Sequence, residues 1–390
     1  MATRGPCEGA RRQVNAAPHS AAAGAFSLRP LPAPKLRVAD VALFYAERGG
    51  GIRTYLDAKA AYAAASGAFE HHLIVPGRRD RHIGTHHELR SLTVAAANGY
   101  RLPTSRGTLE RTLESIEPDV ILVHDPYWSL PAAARVGAAL MTPVVAVRHG
   151  TSEMDAAAMP GRHELWRRAF GRRYRRTYGR VQAVMCTVPD ATTASTGVPT
   201  LRLRFGVDPA FQVPRGVSRG EDVLYVGRLA TSKGVFELLE AAARSSVNWP
   251  LRFVGCGPAR GTLAKSARSL GLGSRVSFAP FVADRRRLAA IYASASCVVM
   301  PGEHETFGLV ALEAAASGAR VVACATAPAA RELGHLVHLF EPGDSDGLLC
   351  AIEEARATPP DPLAATELGR RSTWERAFEA ELAELRRLPG

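Results

Sequence analysis

PGEHETFGLVALEAAASG (residues 301–318) begins polar and glycine-broken and ends as an unbroken run of helix formers. The short apolar run SCVVM precedes it and GARVVACA follows it. Strand, turn, helix and strand in that order make a βαβ unit, whose strands are parallel. Glu305 is expected to open the helix, with Glu313 eight residues later. At about 100° per residue, positions eight apart fall about 80° apart around the axis, so both carboxylates would project to one general side.

The same alternation runs outward in both directions. Upstream, RVADVALFY, HHLIVPG, PDVILVH, TPVVAVRHG and VQAVMCTVP read as strands, with Ala/Leu-rich helical stretches between several of them. Nearly continuous apolar strands are those buried on both faces of a parallel sheet. A Pro/Gly/Arg stretch, FQVPRGVSRGED, interrupts at 211–222, and the pattern restarts with DVLYVGRL, LRFVGCGP, RVSFAPF and SCVVMPG. The fold class is therefore α/β, with two doubly wound parallel-sheet (Rossmann-like) domains facing a cleft. The expected division is a disordered Ala/Arg/Pro-rich tail over 1–35, an N-terminal domain over 36–210, a C-terminal domain over 211–371 and a closing helical segment over 372–390.

At 390 residues the chain is long for a single core, and 46% hydrophobic with 22% charged residues is a globular balance. A net charge of +12 favours anionic partners such as nucleotide phosphates or lipid head groups, although an Arg-rich composition alone also produces it. The six cysteines show no CxxC or metal-ligand spacing and read as small buried hydrophobes in a reducing compartment. No apolar run approaches the ~18–20 residues of a membrane span. The expected location is cytoplasmic.

Three segments carry phosphate and sugar chemistry. In VGRLATSKG (226–234), Gly227 allows close backbone approach, and Arg228 and Lys233 stand beside a helix N-terminus, as a diphosphate requires. A basic surface loop is the competing reading. FVGCGP places Gly257 in a tight turn after a strand, the loop expected beside a nucleotide. In the opening stretch a carboxylate can accept from two adjacent hydroxyls, while Thr306, Phe307, Gly308 and Leu309 offer backbone N–H groups to phosphate. Hydroxyls, phosphates and hydroxyls in sequence describe a nucleotide sugar. A helix-end charge at Glu305 and a solvated Glu313 form the plainer alternative, which leaves the apolar company of Glu313 unexplained.

The stretch PGEHETFGLVALEAAASGARVVA resembles the signature of the family 4 glycosyltransferases, enzymes of the GT-B fold. The resemblance covers about residues 37–388 and is most specific over 222–324. It implies that Glu313 holds the donor ribose, Glu305 the hydroxyls of the transferred hexose, and Arg228 and Lys233 the donor diphosphate. ERGGGIRTYL (47–56) resembles the family's first-strand glycine loop, placing Gly50 and Gly51 on the donor or acceptor face. VHDPYW (123–128) resembles a strand-end position close to the reacting sugar, which makes His124 a catalytic candidate with Glu305, Arg228 and Lys233; a strand-end histidine satisfied by backbone is the alternative. His149 in VRHG shares that ambiguity. RFGVDPAF (204–211) resembles the family's crossing into the second domain, and the terminal helix resembles one that packs back on the first.

Two departures stand out. TAPAARELG keeps Glu332 but lacks the glycines usual before it. DSD at 344–346 mimics a metal-binding Asp-x-Asp, but its place before a helix points to capping. No metal or other cofactor is expected beyond the nucleotide-sugar co-substrate. The resemblance implies retaining transfer of a hexose from a GDP-mannose or UDP-glucose type donor to an acceptor alcohol, glycan or lipid, as in cell-envelope glycan assembly. HELWRRAFGRRYRRTYGR (163–180) carries aromatic residues at every fourth position amid arginines. It reads either as a core-facing stripe with solvated arginines or as a peripheral contact with an anionic membrane, at the inner face of the plasma membrane. A nucleotide-sugar epimerase on the same scaffold and a basic nucleic-acid-binding protein are the alternative functions; the latter lacks any base-reading motif, and no nucleic acid is expected.

Overall fold

The computed structural model describes residues 35–45, 50–93, 101–125, 128–150, 161–189 and 191–389. The expected tail over 1–35 lies, Lys35 apart, outside the described residues. Two sheets organise the rest. The first contains β1 (Arg37–Val41), β2 (Glu70–Gly77), β3 (Arg81–Ile83), β4 (His86–Thr93), β5 (Arg101–Pro103), β6 (Val120–Val123), β7 (Val144–Arg148), β8 (Ala183–Cys186) and β9 (Thr200–Arg202). Its order is β3-β4-β2-β1-β6-β7-β8-β9, with β5 beside β4. The second contains β10 (Val223–Val226), β11 (Leu251–Val254), β12 (Val276–Ala279), β13 (Cys297–Met300), β14 (Val321–Cys324) and β15 (Val337–Phe340), in the order β12-β11-β10-β13-β14-β15. The central strands β6, β13 and β14 are buried at every position, as their unbroken apolar sequences require.

In each sheet the chain steps outward from its first strand and then returns to that strand's other side. The reversal falls between β1 and β6 in the first sheet and between β10 and β13 in the second. At such reversals the loops leave in opposite directions and open a crevice at the carboxyl ends of the strands. The segments selected from the sequence follow these four strands: Gly50 and Gly51 after β1, His124 after β6, Gly227 to Lys233 after β10, and 301–309 after β13.

Three details differ from expectation. β3, β4, β5, β9 and β15 are strands that the sequence reading did not mark, and β3 and β5 pair antiparallel with β4; all five are short or polar-interrupted, so they carry no apolar run to announce them. Cys186, Cys297 and Cys324 are buried, but Cys256 and Cys350 are exposed. Third, Glu305 does not open the helix. That helix runs Leu309–Ala316, and Gly308 precedes it at φ 99°, a left-handed conformation that turns the chain between Glu305 and the helix axis. The argument from angular spacing around one axis therefore does not apply to the pair.

Four helices matter below and are labelled in chain order: α1 (Gly51–Ser66), α2 (His163–Tyr178), α3 (Leu309–Ala316) and α4 (Trp374–Leu385). The connector between the sheets and the entry to α4 run against each other. Val207 N–H donates to the Ser372 carbonyl at 2.7 Å, and a Cβ on Gly206 would lie 2.3 Å from Trp374 N, so only glycine fits there. α4 then packs on α1, where Tyr55 sits among the rings of Phe205, Trp374 and Phe378 at centroid distances of 5.6, 6.2 and 5.5 Å. Asp344 accepts from Gly347 N–H at 2.8 Å, so the DSD segment caps the helix Ser345–Ala357.

Candidate active site

The loop after β10 and the turn after β13 are built against each other by glycines. Gly234, at φ 68°, lies so close to Pro301 that a Cβ would sit 2.6 Å from its carbonyl carbon and oxygen. This contact brings Lys233 over the turn. Its Nζ lies 2.9 Å from Glu305 Oε1, with side-chain exposures of 29% and 17%. Arg228 is exposed in the same loop, and its carbonyl accepts from the Tyr225 hydroxyl at 2.8 Å. Gly227 adopts φ 151° beneath it. A Cβ on Gly257 would meet the Leu229 carbonyl at 2.2 Å, so the adjoining loop after β11 is pressed onto the first.

Glu313 stands in the middle of α3, half-buried, and its Oε2 accepts from the Tyr292 hydroxyl at 3.1 Å. Burial raises its carboxyl to about 7 against the opposing effects of the Tyr292 hydrogen bond and Arg285. Glu313 is thus poised between a neutral acid and a carboxylate near neutrality. The first N–H groups of α3 have no intrahelical acceptor and lie at its positive end. Phe307 does not present its ring to this space: it is buried and stacked on Phe205 at 4.4 Å, so it can offer only backbone. Thr306 is half-buried. Glu332 lies apart from these groups, beside Arg202 at 3.5 Å.

The two reversal points face each other. A Cβ on Gly51, the first residue of α1, would lie 3.2 Å from Leu309 Cδ1, the first residue of α3, while Gly50 has open space around it. His124 is enclosed, at 2% exposure, and both ring nitrogens are engaged. Nε2 lies 2.7 Å from Asp40 Oδ1, and Nδ1 lies 2.6 Å from His149 Nε2. His149 follows β7, the strand beside β6, and is half-buried, so of the two imidazoles it is the nearer to solvent. Burial, with help from His124, holds its ring well below the usual histidine range, so it is neutral at pH 7.

Behind His124 lies a network that the sequence reading missed. Asp40 Oδ2 is 2.8 Å from both Lys59 Nζ and His71 Nε2, Lys59 Nζ is 2.7 Å from Glu381 Oε1, and the Tyr55 hydroxyl donates to Glu381 Oε2 at 2.5 Å. Burial opposes the charge on Asp40, but Lys59 and the two imidazoles more than offset it, so Asp40 is held well below the usual carboxylate range. The available signals were an aspartate inside an apolar strand and a lysine inside an alanine-rich helix.

On α2 the aromatic ladder runs from core to surface. Tyr174 and Tyr178 are buried and stacked at 5.3 Å, whereas Trp166 is 37% exposed and its neighbour Leu165 55% exposed. Arg172, Arg173, Arg175 and Arg176 are exposed. The core-facing reading therefore holds for the C-terminal end of the helix, while the N-terminal end stands exposed. Among the described residues no helix is long and apolar enough to cross a membrane.

Known proteins carry the same construction. Residues 49–217 match the family described as Glycosyltransferase Family 4, and residues 210–371 match Glycosyl transferases group 1. A Mycobacterium tuberculosis GDP-mannose-dependent alpha-(1-6)-phosphatidylinositol dimannoside mannosyltransferase is 31% identical over 314 residues, covering 75% of this chain and 80% of that one. A D-inositol 3-phosphate glycosyltransferase 2 of Catenulispora acidiphila is 38% identical over 172 residues, 39% of this chain and 40% of that one. Among solved structures, sucrose-phosphate synthase from Thermosynechococcus elongatus superposes with a TM-score of 0.69 at 20% identity, covering 90% of this chain and 98% of that one. Anabaena HepE in complex with UDP gives 0.69 at 18%, covering 90% and 100%. With two sheets meeting at their reversal points and both family descriptions spanning them, this chain belongs to the family 4 glycosyltransferases and is a nucleotide-sugar glycosyltransferase of the GT-B fold.

Proposed function

We propose that the enzyme transfers mannose, with retention and without a metal, from GDP-mannose to a hydroxyl of a phosphatidylinositol-type lipid at an anionic membrane surface. The observation that carries the donor half is the Lys233–Glu305 pair at 2.9 Å, with the half-buried Glu313 on the helix that follows the same turn: a cation for diphosphate and two carboxylates for hydroxyls. The choice of mannose and of an inositol lipid is supported by the similarity to the mycobacterial mannosyltransferase.

In this reading residues 211–371 hold the donor and 36–210 the acceptor. Glu313 accepts from the two ribose hydroxyls. Arg228, Lys233 and the N–H groups opening α3 take the diphosphate, with Gly227 and Gly257 leaving room beside it. Lys233 then exchanges its resting partner Glu305 for phosphate, and Glu305 turns to the hexose hydroxyls. The acceptor hydroxyl attacks C1 on the face from which the diphosphate departs. The bond from C1 to the phosphate oxygen breaks as the new glycosidic bond forms, and the hydroxyl proton passes to the leaving oxygen. The fixed cations and N–H dipoles stabilise the charge that develops there. His149 supplies a hydrogen bond to the hexose from the first half, with His124 behind it.

The donor assignment has a pH signature. The ribose diol needs an acceptor on both oxygens of Glu313, so binding selects the carboxylate. From a free-enzyme value of about 7, the Kd for GDP-mannose is expected to weaken about tenfold between pH 8 and pH 6, one decade per unit below the pKa. Glu313→Gln should weaken binding and flatten the profile; a wild-type Kd unchanged over that range would remove Glu313 from the ribose site.

The transfer itself is tested with radiolabelled GDP-mannose and vesicles of phosphatidylinositol mannoside. Label should pass to the lipid phase, and Arg172, Arg173, Arg175 and Arg176 changed together to Gln should lose vesicle binding while keeping GDP binding. Label transfer from UDP-glucose in place of GDP-mannose, or vesicle binding indifferent to the four arginines, would overturn the corresponding half of the proposal.

A further inference from the structure

We propose that Asp40 is a positioning residue for the transfer: it fixes the proton arrangement of the His124–His149 pair so that His149 keeps a bare Nδ1 lone pair for a hydroxyl of the donor sugar. The inference deepens, and rests on, the reading that His149 meets the donor sugar.

The argument is one of donors and acceptors. Asp40 Oδ2 is occupied by Lys59 Nζ, which can only donate, and by His71 Nε2, both at 2.8 Å. Its other oxygen, Oδ1, is 2.7 Å from His124 Nε2. An ionised carboxylate only accepts, so His124 must carry its proton on Nε2. His124 Nδ1 and His149 Nε2, 2.6 Å apart, share one proton, and His149 Nδ1 has no acceptor within reach among the described residues, so the arrangement that leaves no buried N–H unpaired puts that proton on His149 Nε2, donating to His124 Nδ1. That places the single proton of neutral His149 on Nε2 and leaves its Nδ1 without one. Among the described residues this Nδ1 is buried and has no hydrogen-bond partner. A buried acceptor without a donor is costly, and a sugar hydroxyl entering the cleft would satisfy it. The arrangement originates in α4: Glu381 holds Lys59 at 2.7 Å, and Lys59 holds Asp40 ionised.

Asp40→Asn reverses the sense of the chain. Lys59 and His71 still require an acceptor, so the amide oxygen stays on their side and the amide NH2 faces His124 Nε2. That nitrogen must now accept, the His124 proton moves to Nδ1, and His149 Nε2 becomes the acceptor. The His149 proton is driven to Nδ1, where a lone pair had been. His149 then offers a donor instead of an acceptor, while nothing in residues 211–371 changes.

Two measurements decide the matter. Long-range 15N–1H spectra of histidine-labelled wild type, assigned with His124→Gln and His149→Gln, should show both rings protonated on Nε2. Protonation of His149 on Nδ1 overturns the proposal without any Asp40 variant having to fold. In Asp40→Asn the His149 proton should appear on Nδ1, kcat should fall on the order of 10²-fold, and the Kd for GDP should stay within about twofold, a split that general loss of structure does not produce. His149→Ala should lose as much as Asp40→Asn, and the double variant little more. If Asp40→Asn is fully active while His149→Ala is not, the positioning role fails and the role of His149 stands. Full activity of His149→Ala sinks both.

Discussion

Lys233→Ala is expected to lower kcat by about 10²–10³-fold, the usual cost of removing one fixed charge that stabilises a leaving group. Two effects add. On the proposed donor assignment the developing diphosphate charge loses its cation, and Glu305, whose Oε1 lies 2.9 Å from Lys233 Nζ, loses the partner that neutralises it. An uncompensated carboxylate beside a diphosphate is repulsive, so GDP affinity should fall as well. This gives a double-mutant test. Changing Glu305 to Gln in the Lys233→Ala background should recover part of the GDP affinity but none of kcat, since Glu305 is also needed on the hexose. Strict additivity of the two substitutions in GDP binding would show that the pair is not coupled in the resting enzyme. Both side chains are partly exposed, so the pair is not a stability element, and the melting temperature should change little.

Glu381→Ala should be the most damaging of single substitutions to stability, costing about 3–5 kcal/mol in urea unfolding, because one partner of a buried ion pair is removed and the other stays behind. Lys59 and Glu381 are each at most 3% exposed in their side chains. Lys59 would keep Asp40, but the Tyr55 hydroxyl would lose its acceptor in a site enclosed by three aromatic rings. Glu381→Gln keeps the acceptor for Tyr55 and should cost less. A loss below about 1 kcal/mol for the alanine variant would mean that water replaces the carboxylate, and that the network is open. GDP binding by the surviving folded protein should be unaffected, since Glu381 touches only the first half.

The alternation of apolar runs made both sheets readable, because strands buried on both faces cannot hide their composition. The segments proposed for the donor drew attention for a related reason. Gly227, Lys233 and 301–309 follow the two strands at a reversal point, and their residue types have few structural uses in combination. The helix start was misplaced because propensity alone favours a helix through Glu305, whereas the left-handed Gly308 is imposed by packing against Met300 and Ala329, where a Cβ would have 3.0 and 3.3 Å. β3, β4, β5, β9 and β15 escaped notice because strands at or near a sheet edge, partly solvated, have no continuous apolar signature. The histidines were separable only in three dimensions: His124 and His149 each end a strand, and only their partners show which is enclosed. The charge network was the least readable of all, since Lys59 and Glu381 lie far apart in sequence, and each sits in a helical segment where a charged residue is expected to face water.

The fit of Gly206 against Trp374, with Val207 bonded to Ser372, means that the first half is not a continuous stretch of chain. A ribosome delivers residues 36–210 well before residue 381 leaves the exit tunnel. Until then Lys59 and Asp40 hold each other without Glu381, and the surface that will receive α4 is open to solvent or to chaperones. The half made first therefore matures last: a nascent chain halted before residue 374 would carry every strand of the first sheet but leave Lys59 without Glu381.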